Sequence, residues 1–195
     1  MKIKSIILMS VISMLFSFKN ASAQKVKRTH TFSIERVIPS SAEKVWNVVG
    51  NEFADVSKYH AGIVKSELIN GSTKSEIGCE RVCQLDDKGK KLVREELVEF
   101  DEQTMYFKAK VFDGEGVPTV PEYTFAEYEV KPIDEERCKL IITQTYRTKP
   151  AFIGGIVKGK FKQYTKEQMI FIEHYVLTGE AVSKENQKEI LGKYQ

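Results

Sequence analysis

The chain is poor in the residues that announce chemistry. It has one tryptophan, three histidines and three cysteines in 195 residues. None of them stands in Cys-x-x-Cys or His-x-x-x-His spacing, so no metal site is legible and no cofactor is expected. No Ser/His/Asp or Cys/His arrangement for nucleophilic catalysis can be read either. The cysteines are Cys79, Cys83 and Cys138, an odd number. Cys79 and Cys83 lie four apart on an expected strand, which separates their Cα atoms by about 13 Å, beyond the reach of a disulfide. Either could pair only with Cys138, and the reading adopted is three buried free thiols packing as small apolar groups.

A charge excess of one sign is also missing. The sequence holds 30 Lys and Arg against 27 Asp and Glu, but Lys2, Lys4 and Lys19 fall in the N-terminal leader, which leaves 27 against 27. This balance gives no whole-chain case for a nucleic-acid partner. The long apolar run that a membrane span needs is absent too, since the run from Ile6 to Phe18 is too short to cross a bilayer. With Lys2 and Lys4 before it and Ala21-Ser22-Ala23 after it, that run reads as a secretory signal peptide. Residues 1–23 are expected to be the signal, cleaved near Ala23, and the mature protein to be periplasmic or secreted. About 172 residues remain, enough for one domain with its own core.

What is present is patterned. Residues 151–178 read as one helix of roughly 40 Å at 1.5 Å per residue, opened by Pro150 and stopped by Gly179. Ile153, Ile156, Val157, Phe161, Tyr164, Phe171, Ile172 and Tyr175 fall on one broad apolar face, with Lys162, Lys166 and Glu173 opposite. Ahead of it, residues 31–38 alternate as a first strand. A short helix is expected over 42–49, capped by Ser41 with Glu43 in its first turn, and a second short helix or turn over 52–59.

From Ile63 the period changes. Strands are expected over 63–70, 76–85, 91–100, 104–112, 123–131 and 139–147, separated by turn signals such as Asn70-Gly71-Ser72, Asp86-Asp87-Lys88-Gly89 and Asp113-Gly114-Glu115-Gly116. Short links mean an antiparallel meander, and the lack of helical crossovers excludes a parallel nucleotide-binding sheet. The order predicts an α+β protein in which a curved seven-stranded antiparallel sheet wraps the long C-terminal helix and leaves a cavity between them. Residues 24–181 form that domain, and 182–195 are expected to be a frayed polar tail.

Two local patterns have modest readings. Gly154 to Lys160 matches the start of a phosphate-binding loop, but Phe161 stands where a Ser or Thr should ligate Mg²⁺. Gly155 and Gly159 are read instead as letting the helix approach the sheet or leaving room for a ligand. Arg147, Lys149, Lys158, Lys160, Lys162 and Lys166 make a basic cluster, either a solvated helix face or a point of attraction for an anionic membrane surface, in peripheral contact, or for ligand carboxylates.

Several stretches resemble the START-like, or SRPBCC, helix-grip superfamily of polyketide cyclase/dehydrase-like proteins. They are Ile38-Pro-Ser-Ser-Ala-Glu-Lys-Val-Trp46, Tyr59 to Glu67, Gly78-Cys-Glu-Arg-Val-Cys83, Glu95-Glu-Leu-Val-Glu-Phe-Asp101, and the terminal helix with Gly155 and Lys158-Gly-Lys160. Asp86-Asp-Lys-Gly89 departs from the gate loop of the plant hormone receptors in this group, and the Cys/His pairs of its Rieske members are missing.

The resemblance implies a small hydrophobic ligand and a set of residues lining the cavity. On the strands these are Arg81, Cys83 and Leu85; Val93, Glu95 and Leu97; Phe107, Ala109 and Val111; Tyr123 and Phe125; Ile141, Thr143 and Thr145. His60 at the mouth and Tyr164 on the helix join them. From that set His60, Arg81, Cys83, Glu95, Phe107, Val111, Tyr123, Phe125, Thr143 and Tyr164 are the candidate ligand-binding residues. Glu95 and Tyr123 are the candidates should a reaction be catalysed. An exported carrier of a lipid or polyketide-like molecule is the leading expectation. A cyclase, dehydrase or isomerase acting in the same cavity, or an accessory factor of an exported enzyme, are the alternatives. Oligomeric state is not legible.

Overall fold

A computed structural model describes residues 29–194, and the expected signal peptide lies outside the described residues. Strand β1 (His30–Ile38) leads through Ser41, whose hydroxyl accepts from the Lys44 amide at 3.3 Å, into helix α1 (Ala42–Trp46). The helix widens into one π turn over Asn47–Asn51, and a 3₁₀ turn spans Phe53–Lys58. Then follow β2 (Lys65–Ile69), β3 (Glu80–Gln84), β4 (Leu92–Asp101) and β5 (Tyr106–Glu115). After a 3₁₀ turn at Pro121–Tyr123 come β6 (Phe125–Pro132), β7 (Cys138–Tyr146), helix α2 (Ile153–Thr178) and helix α3 (Gln187–Lys193).

All seven strands form one antiparallel sheet in the order β1-β7-β6-β5-β4-β3-β2, and α2 lies against its concave face as the expected helix-grip arrangement. The turn chemistry follows the residues that demand it. Asn70 and Gly71 both take positive φ, 54° and 80°, and the Ser72 amide closes the turn on the Ile69 carbonyl. Gly179 stops α2 in the left-handed region at φ 72°.

The core lies where α1, the 3₁₀ turn and the C-terminal half of α2 meet the sheet. Val45, Phe53, Leu97, Phe107, Leu140, Ile142, Met169 and Ile172 are buried there. Burying each such side chain is worth about 2 kcal/mol in transfer free energy. Trp46 packs against Phe100 and Phe107, and Gly50 one turn on has no room for a side chain beneath the indole.

Three expectations change. Within the expected tail 182–195, the described residues 182–194 do not fray: Val182 and Ile190 are buried against Phe171, and α3 packs on α2. Glu173 therefore faces this covering segment rather than water. It is buried in an ion pair with Arg36, whose Nη2 also donates to the Tyr194 carbonyl. Finally, Gly154 is the glycine that lets α2 approach the sheet, since a Cβ there would stand 2.6 Å from the His30 ring. Gly159 faces open space, and the whole Gly154–Lys160 stretch is helical, so no phosphate-binding loop exists.

Candidate functional site

Strand alternation on β3 turns Arg81 and Cys83 inward, with Cys79 buried just ahead of the strand, and the pairing of β3 with β4 sets Arg81 directly opposite Glu95. Arg81 Nε and Nη2 both donate to Glu95 Oε2, at 2.8 and 2.7 Å. The third guanidinium nitrogen, Nη1, donates to the Phe53 carbonyl at 2.6 Å, while the Phe53 ring lies 3.7 Å beneath the guanidinium carbon. The Cys83 thiol reaches the same carboxylate oxygen at 3.7 Å. Glu95 Oε1 makes no hydrogen bond to a described residue, and the Glu95 side chain keeps 13% of its surface open.

Around this pair stand further polar groups with apolar bodies. Tyr128 on β6 stacks on Phe107 at 4.6 Å between ring centres, and its hydroxyl accepts from Gln168 Nε2 of α2 at 2.7 Å. Tyr59, closing the 3₁₀ turn, packs against Tyr175 of α2. His60 follows it, half-buried, and its Nδ1 accepts from the Gly62 amide at 3.1 Å, which leaves the ring proton on Nε2.

Burial sets the electrostatics. It pulls His60 down to about 4, so the imidazole is neutral at pH 7. It pushes the Tyr59 phenol far above its ordinary value, Tyr128 to about 12 and the Cys83 thiol to about 12. For Arg81, burial alone would lower the value, but the Glu95 carboxylate and its neighbours outweigh it and hold the guanidinium charged. Cys79, Cys83 and Cys138 are all buried free thiols, none of them a ready nucleophile. The face thus offers hydrogen-bond donors, one free carboxylate oxygen and a charge pair that sums to zero.

Of the residues expected here, Arg81, Cys83, Glu95, Phe107 and Val111 share the inner face, with His60 beside them. Val111 is the partner of Glu95 across β4 and β5.

Others lie elsewhere. Phe125 and Thr143 are corrected to the outer face: the Lys108 amine sits 5.1 Å from the Phe125 ring, and the Thr143 hydroxyl bonds to Ser33. Ile141 and Thr145 share that outer side, because β6 and β7 run one residue out of phase with the expected set. The inward residues are Ala126, Tyr128 and Val130, with Leu140 and Ile142 across from them. Tyr164 is 58% exposed. Tyr123 is in the 3₁₀ turn rather than a strand, at a rim cleft with Arg147, Thr148 and Lys149.

Tyr59, Tyr128 and Gln168 escaped the sequence reading. For Tyr128 the signal was present: Glu127, Glu129 and Lys131 mark the outward parity of β6. Among the described residues no group of three or more His, Cys, Asp or Glu gathers as a metal site.

The profile of the family described as polyketide cyclase / dehydrase and lipid transport matches residues 29–169. Norcoclaurine synthase from Thalictrum flavum, solved with dopamine and hydroxybenzaldehyde, is similar at a TM-score of 0.60 and 18% identity, over 86% of this chain and 97% of that one. The major latex-like protein 151 of Panax ginseng gives 0.61 and 18%, over 76% and 98%. A solution structure from Thermobifida fusca gives 0.62 and 20%, over 75% and 92%. At these identities the likeness speaks to fold alone. No curated protein matches the sequence.

Proposed function

The chain belongs to the polyketide cyclase / dehydrase and lipid transport family, and from that premise we propose that it is an exported carrier. It binds a small hydrophobic or amphipathic molecule, lipid or polyketide-like, between α2 and the concave face. One arrangement carries this reading: apart from the internally paired Arg81 and Glu95, the polar groups gathered on the inner face are held neutral by burial and keep hydrogen-bonding capacity. His60 is neutral and presents Nε2–H, the Tyr59 and Tyr128 phenols and the Cys83 thiol are held protonated, and Arg81 occupies one oxygen of Glu95. Donors of this kind fix the orientation of a carbonyl or hydroxyl head while apolar neighbours such as Phe107 and Val111 hold the remainder. Export is supported by the leader, with its basic start, apolar run and Ala21-Ser22-Ala23.

The test is native mass spectrometry of the protein purified from its own host, followed by denaturing extraction. A reproducible co-purifying mass of a few hundred daltons, whose addition to stripped protein raises Tm, is the expected result. Protein that is empty as isolated, and whose Tm no lipid extract raises, would overturn the carrier reading.

A further inference from the structure

Between Arg137 and Lys166 the chain carries eight basic residues and no acidic one. The remainder of the mature sequence is correspondingly acidic, so the neutral total conceals a strong local asymmetry. In the centre of this run, Phe152 and Ile156 are 71% and 76% exposed, one helical turn apart at the start of α2. Nothing among the described residues covers them. Between and beyond them Gly155 and Gly159 present no side chain, and Lys149, Lys160, Lys162 and Lys166 are all exposed around the same end of the helix.

The cleft beside Phe152 adds an independent feature. It has a volume of about 390 Å³ and is walled by Tyr123, Arg147, Thr148, Lys149 and Ala151. The Arg147 guanidinium lies 5.5 Å over the Tyr123 ring, and its Nη1 is buried without a hydrogen-bond partner among the described residues. A buried cationic donor lacking an acceptor is suited to an anionic oxygen. One exposed carboxylate, Glu122, also lines the cleft.

We propose that the first turns of α2 and the Arg147 cleft form a docking face for an anionic lipid bilayer. Phe152 and Ile156 enter below the headgroups, the lysines meet the lipid phosphates at the surface, and one headgroup phosphate reaches Arg147. Charge complementarity selects an anionic surface, and the bare apolar pair selects a bilayer over a soluble polyanion, which would leave Phe152 and Ile156 in water. A carrier that exchanges cargo with a membrane would use such a face, yet docking does not depend on there being a cargo.

Flotation of the host-processed protein with phosphatidylcholine vesicles, with and without phosphatidylglycerol, tests this. Binding is expected only to the phosphatidylglycerol vesicles and is expected to weaken as salt rises. The doubly substituted F152S/I156S protein should bind more than ten-fold more weakly, and K149Q and K160Q about five-fold more weakly each. All of these side chains are exposed, so circular dichroism should show an unchanged fold. Absence of flotation, equal flotation with neutral vesicles, or undiminished binding by F152S/I156S would each overturn docking. So would inorganic phosphate retention dependent on Arg147 in protein that ignores vesicles. Ligand content measured on the same preparation separates the two ideas: cargo without flotation removes the docking face and leaves the carrier, while flotation by protein that is empty and that no lipid extract stabilises does the reverse.

Discussion

Gln168 on α2 donates through Nε2 to the Tyr128 phenolic oxygen on β6 at 2.7 Å, and both side chains are buried. This bond straps the long helix to the middle of the sheet at the polar face of the site. Replacing Gln168 with Leu leaves the phenol without its donor. Stability to urea should fall by about 1 kcal/mol, the usual net worth of one such bond. An unchanged midpoint would mean that the strap contributes nothing.

Arg81 and Glu95 should behave as a unit. R81M strands the carboxylate in a low-dielectric face and should cost about 3–5 kcal/mol. The combined R81M/E95L change removes both charges and should recover most of that loss. A double-mutant cycle by chemical denaturation measures the coupling, and simple additivity of the two single changes would exclude a coupled pair.

The pH dependence of stability should carry the signature of His60. Its folded value of about 4 lies below the ordinary 6.5, so the unfolded chain takes up a proton across that window and the folded chain does not. The stabilisation is complete above pH 6.5 and is lost progressively as pH falls towards 4. H60N should flatten the curve in that interval. An NMR titration placing His60 near its ordinary value would contradict the burial argument.

Gly50 admits no side chain. A Cβ there would stand 2.7 Å from the ring of Trp46, the one tryptophan of the chain. Gly50→Ala should therefore cost about 1–3 kcal/mol through overpacking, with a shift in intrinsic fluorescence as the indole moves. Full stability with an unshifted emission maximum would show that the π turn relaxes around the added methyl group.

The elements themselves were legible because they rest on local rules. Alternation along β1 and β5, the Asn70-Gly71 turn, the Ser41 cap and the Gly179 stop each depend on residues within a few positions, and each appears where the residues demand it. The helix-grip order followed from the short links between strands. On β3 to β5 the inward set was also readable, so Arg81, Cys83, Glu95, Phe107 and Val111 were correctly placed on one face.

What the tertiary structure decided was long-range. The charges at Glu127, Glu129 and Lys131 mark the phase of β6, but the phase of β7, with Ile141, Thr143 and Thr145 outward and Leu140 and Ile142 inward, is fixed by its pairing with β6 and β1. Residues 182–194 look polar in isolation, yet they bury Ile190 and cover Glu173, because Arg36 on a distant strand neutralises that carboxylate. Gln168 joined the site only when α2 crossed the sheet. Sequence determines which residues alternate, cap and turn, since those are contests between neighbours. Which of two faces becomes the inside, and which charges meet, is settled by segments more than 100 residues apart, as with Arg36 and Glu173, and only packing brings them together.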